Sequence, residues 1–401
     1  MKTFNQILEK HGIFGYEEIS KAILTSLVAK EPILLIGEHG TGKTMLAERL
    51  SSMLGFSNDL LNKEFHAYDA SKSLFEDVIG FPNPAQMKEG KLEYIESEIT
   101  IWNKRFILID EISRANPSMQ NKWLEIIRSR RLMGKSIPKL DYIFAAMNPP
   151  DYLGAEYLDS ALADRFFLIV NVPSKFARND LSKIINADSY LDTSQSDELI
   201  EMISSIDRIS KNLRPELVKV IEDFILDFSH KVEELGLIFS PRRSALMRKS
   251  LIIMMATELY YGKLTDKKIA ENLALSCNYS WNYHVTDEDP QLDILQEAFK
   301  YATTKIIKNT KQTINQFENY KKKNKKKTSA GSTSTSNKKT NQLDIDDDTD
   351  VDDDEEHGDL WTFMQILGTG VELFTVGFYE MVIKGNSNWK SKMKINKGTG
   401  F

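Results

Sequence analysis

The chain has 401 residues, 41% of them hydrophobic and 27% charged, which allows two or three domains and at least one sizeable core. Its formal charge of −6 is unevenly spread: eleven acids in 344–359 and eight lysines in 321–339 account for half of it. The rest is close to neutral, which excludes a global polycation of the nucleic-acid-binding kind. A single cysteine, Cys277, excludes an internal disulfide, and six scattered histidines give no structural metal site. With no apolar leader at the start, the expected setting is cytoplasmic.

Tyr16 to Lys30 places Ile19, Ala22, Ile23 and Leu27 at helical spacing. Pro32 to Ile36 is then a short apolar run ending at a glycine, as expected of a buried parallel strand. Directly after it, Gly37-Glu38-His39-Gly40-Thr41-Gly42-Lys43-Thr44 fits G-x-x-x-x-G-K-[ST] in full, and Met45 to Leu54 can form the following helix. The glycines let successive N–H groups curl round phosphate oxygens, Lys43 supplies a point charge, and the Thr44 hydroxyl suits magnesium. Nucleotide contacts are expected along Gly37 to Met45. Glu38 and His39 sit at variable positions and need no side-chain role.

Further along, Phe65–Glu98 contains a plausible hairpin around Gly80-Phe-Pro and Glu89 to Tyr94. Phe106 to Ile109 forms the next apolar run and ends in Asp110-Glu111. Such a pair, at the tip of a strand neighbouring the phosphate loop, predicts that Asp110 holds magnesium through water and that Glu111 polarises the attacking water. A second hairpin is expected in Arg128–Leu140, before the strands Tyr142–Ala146 and Phe166–Val170. Buried strands separated by helices predict an α/β sheet over 1–173.

Beyond Pro173 the strand signal stops. Glu198–Ile209, Pro215–Leu235 and Pro241–Leu259 read as amphipathic helices, giving a helical domain over 174–318. Residues 319–358 pass from lysines through Ser/Thr/Gly to aspartates, a composition expected to form a disordered tether. The C-terminal segment 359–401 turns apolar and aromatic, but Glu372 and Glu380 argue against a membrane span, so a docking element is expected.

The motifs together resemble the MoxR family of AAA+ ATPases. Asp110-Glu-Ile-Ser-Arg-Ala115, Ala145-Ala-Met-Asn-Pro149 and Ala161-Leu-Ala-Asp-Arg-Phe166 carry the likeness, extended by Leu74 to Phe81 and Ser240-Pro-Arg242. The resemblance covers roughly residues 10–260. It implies an AAA+ P-loop parallel-sheet domain followed by an all-helical lid, with ATP and Mg2+ bound between them. It further implies that Asn148 orients the attacking water, although Asn-Pro after a strand also makes an ordinary turn. Arg165 resembles the arginine finger that reaches the neighbouring subunit's γ-phosphate, and Arg242 the lid arginine that senses γ-phosphate in cis, with Arg243 beside it. Arg114 would line the subunit interface or form a surface salt bridge. Ile13-Phe-Gly15 lies where the family places the adenine wall.

The same resemblance implies a homo-oligomeric ring, of six copies in the family's manner, working as a chaperone-like machine. Remodelling or metal loading of a von Willebrand factor A-domain partner would be its task. Other P-loop classes leave marks that are missing here: no Asn-Lys is followed by x-Asp as in GTPases, and no L-S-G-G signature occurs. A restriction-type AAA+ motor shares the whole ATP site and stays open as the alternative, as does a nucleotide-dependent scaffold. No nuclease or DNA-reading segment is visible, and the lysine block is better read as part of the tether.

Overall fold

The computed structural model describes residues 2–56, 64–150, 157–186, 194–262, 264–281 and 294–306. The tether expected at 319–358 and the segment 359–401 lie outside these residues, as does the end of the helical region expected to close at 318. Nine strands occur among the described residues: β1 (Ile33–Ile36), β2 (Phe65–Asp69), β3 (Phe81–Pro82), β4 (Tyr94–Ile95), β5 (Phe106–Asp110), β6 (Arg131–Leu132), β7 (Lys135–Ser136), β8 (Tyr142–Met147) and β9 (Leu168–Asn171).

Five of them form one parallel sheet in the order β2-β5-β8-β1-β9. Side chains alternate across its two faces, so Ile33 and Leu35 join one core while Leu34 and Ile36 join the other. Both faces are covered, which is why these strands read as unbroken apolar runs rather than as alternating ones. β8 is buried along its whole length.

The first face is packed by α1 (Phe4–Lys10), α2 (Glu17–Ala29) and α3 (Lys43–Met53). α3 contributes Leu46, Ala47, Leu50 and Met53, one stripe of its helix. Phe106 anchors this core: its ring lies 4.9 Å from Phe144, 5.6 Å from Phe65 and 5.6 Å from Tyr142, and it is fully buried. Aromatic-to-alanine truncation at such a site costs about 3–5 kcal/mol. The second face carries α4 (Phe75–Ile79) and α6 (Pro117–Ser129), with Trp123 and Ile126 fully buried. Asn116 caps α6 by accepting from the Met119 N–H at 2.9 Å, and Pro117 occupies the first turn, where no donor is needed.

Both expected inserts contain a two-stranded antiparallel ribbon. β3 pairs with β4 around α5 (Pro84–Lys88), and β6 pairs with β7. The ribbons touch each other: the Tyr94 hydroxyl lies 3.7 Å from Met133 Sδ, and Lys135 Nζ lies 3.5 Å from Glu96. Phe81, Leu92, Ile95 and Met133 are exposed on them.

After β9 the described chain is helical: α7 (Ser160–Ala163) precedes that strand, and α8 (Arg178–Ile185), α9 (Asp197–Ser210), α10 (Pro215–Glu234), α11 (Pro241–Tyr260) and α12 (Asp266–Tyr279) follow it. The chain divides into two compact units. The first comprises Met1–Ile221, Phe239–Leu264 and Asn272–Leu292, and the second Glu222–Ile238, Thr265–Glu271 and the chain from Asp293 on. In the first, α9 and α11 pack against α2, with Leu199, Met202, Ile206, Ile253 and Met254 sharing its core. In the second, Phe224 stacks on Phe228 at 5.9 Å and meets Phe299 edge-on at 5.7 Å. Among the described residues no helix is long and apolar enough to cross a membrane.

Candidate active site

The phosphate loop joins β1 to α3. Gly40 and Gly42 take φ of +78° and +80°, a left-handed conformation that costs glycine nothing. A side chain at Gly37 would place its Cβ 2.9 Å from Val172 Cβ and 3.0 Å from Thr41 Oγ1, so that position is closed to anything larger. From outside the motif, the Tyr16 hydroxyl donates to the Thr41 carbonyl at 2.6 Å, and burial raises its phenol above the usual range. Lys43 opens α3 and is buried; its ammonium donates to the carbonyls of Gly37 at 2.7 Å and Glu38 at 3.0 Å. Burial lowers its pKa, and the carboxylates of Asp110 and Glu111 act in the opposite direction.

Thr44 Oγ1 donates to Asp110 Oδ2 at 2.8 Å, joining the start of α3 to the tip of β5. The sequence pattern placed the acidic pair on a strand next to the phosphate loop's own. In the sheet β8 lies between them. Contact is made nonetheless because α3 packs on the sheet face and itself meets β5. A hydroxyl and a carboxylate at this separation are hard oxygen donors that fit a magnesium ion, with phosphate oxygens and water completing its shell.

Immediately after Asp110 the backbone turns sharply: Glu111 has φ of +52°, unusual for a residue with a side chain and of the kind that collects at functional sites. Its N–H donates to Asp110 Oδ1 at 2.9 Å. The Glu111 carboxylate thereby leaves the strand direction and meets three other groups. Asn148 Nδ2, at the end of β8, donates to its two oxygens at 3.0 and 3.2 Å. Arg114 Nε lies 3.2 Å from Oε2, and His39 Nδ1 lies 3.8 Å from Oε1. His39 also reaches Asn148, with Nε2 3.0 Å from Nδ2. His39, whose motif position sets no side-chain requirement, thus places its ring between the phosphate loop and Asn148.

A second polar cluster surrounds Asp164. Arg242 Nη1 donates to its Oδ2 at 2.6 Å, Arg243 Nε to its Oδ1 at 3.2 Å, and Ser240 Oγ to its Oδ1 at 3.2 Å. Arg243 Nη2 donates to the Ala163 carbonyl at 2.6 Å. Ser240 at the same time caps α11, accepting from the Arg243 N–H at 3.1 Å. Of the adjacent arginines, Arg243 is buried and Arg242 half-exposed; burial lowers the Arg243 pKa, with Asp164 opposing. Arg165 lies 3.9 Å from Asp164, largely buried, and its Nε and Nη1 have no hydrogen-bond partner among the described residues.

Lys43, Thr44, Asp110, Glu111 and Asn148 are therefore brought to one place. Arg165, Arg242 and Arg243 gather round Asp164. Arg114 is paired with Glu111. Tyr16, Asp164 and the side-chain contacts of His39 went unread in sequence. Only Asp164 had an available signal, since a carboxylate beside an arginine invites pairing with other guanidinium groups.

A sequence profile described as an AAA domain of the dynein-related subfamily matches residues 32–166. The chain is 26% identical over 235 residues to structural protein ORF618 of Acidianus two-tailed virus, covering 56% of this chain and 36% of that protein. Chaperone MoxR1 of Mycobacterium tuberculosis is 27% identical over 174 residues, 41% of this chain and 42% of its own length. Uncharacterized protein YojN of Bacillus subtilis is 29% identical over 220 residues, 49% of this chain and 66% of its own. The chain thus spans from about a third to just under two thirds of these relatives. A solved structure from Cytophaga hutchinsonii, provisionally named an ATPase, has a TM-score of 0.54 at 18% identity, covering 74% of this chain and 93% of that one, and speaks to the fold. The profile rests on the very segment that carries Lys43, Asp110, Glu111 and Asn148, and a MoxR chaperone is among the relatives, so the chain is similar to the AAA+ ATPases of the MoxR type.

Proposed function

We propose that this chain works in a ring of its own copies, hydrolysing ATP to remodel a protein client. The observation that carries the ATP chemistry is the 2.8 Å bond from Thr44 to Asp110, which joins two motifs 66 residues apart at one point beside Glu111.

In this reading the main-chain N–H groups from Gly40 to Met45 cradle the phosphates, and the Lys43 ammonium adds a charge at the β/γ end. Thr44 and Asp110 hold magnesium, which, when bound, neutralises charge on the phosphate oxygens. Glu111 takes the proton of the attacking water, and Asn148 orients that water. Arg165 serves the γ-phosphate of the neighbouring copy, where an arginine is worth several orders of magnitude in rate. Arg242, half-exposed at the start of α11, senses γ-phosphate in its own copy and moves the helices after residue 173 as a lid. A von Willebrand factor A-domain protein is the partner class that the family suggests, and a cytoplasmic setting suits the lone buried Cys277.

Purified full-length chain with magnesium should bind and hydrolyse ATP. Glu111→Gln should keep binding and lose turnover, and mixing it with Arg165→Ala should restore part of the activity once mixed assemblies are shown. An inactive mixture would remove the trans role of Arg165. Failure to bind adenine nucleotide in any assembly state would end the whole reading. Turnover stimulated by nucleic acid rather than by an A-domain protein would favour a motor over a remodeller.

A further inference from the structure

From the phosphate loop, the His39 side chain reaches across to Asn148 and Glu111. The Asn148 amide is 1% exposed and offers two N–H hydrogens. One is directed at the Glu111 carboxylate, at 3.0 and 3.2 Å. A carboxylate accepts only, so the amide must face it with nitrogen, and turning it round would set two acceptors against each other. The second hydrogen is then left for His39 Nε2 at 3.0 Å, which must accept it. That places the ring proton on Nδ1, the nitrogen 3.8 Å from Glu111 Oε1. The chemistry of three side chains thus fixes one hydrogen-bonding pattern, in which both amide hydrogens of Asn148 are used within the protein.

We infer that His39 is a positioning residue that restrains ATP turnover by holding the Asn148 N–H which the γ-phosphate or the attacking water would otherwise receive. The inference rests on the ATPase reading of this site. A phosphoryl oxygen or water gains an Asn148 hydrogen only by displacing His39 or Glu111, and His39, a neutral acceptor on a half-exposed ring, is the weaker holder. Its position in a loop that must close on phosphate makes that exchange part of nucleotide engagement.

The test uses the full chain with magnesium and ATP. His39→Ala, at a half-exposed position whose loss leaves the core intact, should raise kcat/KM for ATP about three- to tenfold, the effect of one neutral hydrogen bond. ADP affinity should stay at the wild-type value, because ADP brings no γ-phosphate to Asn148. His39→Gln, which keeps an acceptor, should remain near wild type. In an Asn148→Ala background, His39→Ala should add nothing. Affinity for a non-hydrolysable ATP analogue reads the same contact without turnover and should rise by up to the same factor. If neither kcat/KM nor analogue affinity rises, or if a rise persists without Asn148, the inference is overturned. A wild-type chain that binds no ADP would sink the ATPase reading itself, whereas intact ADP binding with no gain in His39→Ala sinks only the restraint.

Discussion

The two polar clusters of this protein are built on opposite plans. At the phosphate loop, Lys43 is held by neutral carbonyls of its own loop, and the nearby carboxylates are tied down by Thr44, Asn148 and Arg114. Around Asp164, the guanidinium groups of Arg165, Arg242 and Arg243 share a single carboxylate, leaving a surplus of positive charge. In the first cluster each charged side chain meets a partner within the cluster, the Thr44–Asp110 pair spanning 66 positions. The second is joined by residues nearly eighty positions apart and has positive charge to spare for an anion. Such an arrangement suits groups that engage phosphate only in a particular assembly or lid position.

Substitutions can break or sharpen that contrast. The largest effect should come from Arg165→Ala, which is expected to lower turnover about a thousandfold or more while ATP affinity, measured by equilibrium titration, changes little. Parallel loss of affinity would mean that the Asp164 cluster serves binding, and the contrast would dissolve. Glu111→Gln should lower kcat by about a hundred- to ten-thousandfold with nucleotide still bound, as removal of a general base does. Lys43→Ala should weaken ATP binding about ten- to a hundredfold, the worth of a charge-assisted contact, and a calorimetric affinity within twofold of wild type would contradict it. Smallest in consequence, Asp164→Asn should destabilise the fold by about 2 kcal/mol in denaturant unfolding. It leaves the buried Arg243 without its counter-charge, while the partial exposure of Asp164 tempers the loss. An unchanged midpoint would show that the Ala163 carbonyl alone suffices for Arg243.

The contrast also explains what could be read in the sequence. The sheet strands announced themselves because both faces are covered and their residues are apolar without interruption. Lys43, Thr44, Asp110 and Glu111 stood out because a phosphate-binding loop imposes fixed residue types at fixed offsets. Strand order was not legible in the same way: nothing local in Tyr142–Met147 says that it inserts between the strand of the loop and the strand of the acids. The side-chain contacts of His39 escaped for a related reason, since its partners lie 72 and 109 positions away and its motif position tolerates any side chain. Asp164 sits beside Arg165 in the sequence, but its partnership with Arg242 and Arg243 depends on where α11 begins in space.

That inserted strand has a mechanical consequence. β8 is hydrogen-bonded to β1 on one side and to β5 on the other, so the loop and the acidic tip are not free to slide past each other. Their lateral spacing is set by two ladders in series, and Asn148 rides on the member common to both. Opening or closing of this corner then falls to the turns above the sheet, the glycine turns at 40 and 42 and the left-handed bend at Glu111. The strands beneath act as a fixed jig against which those joints work.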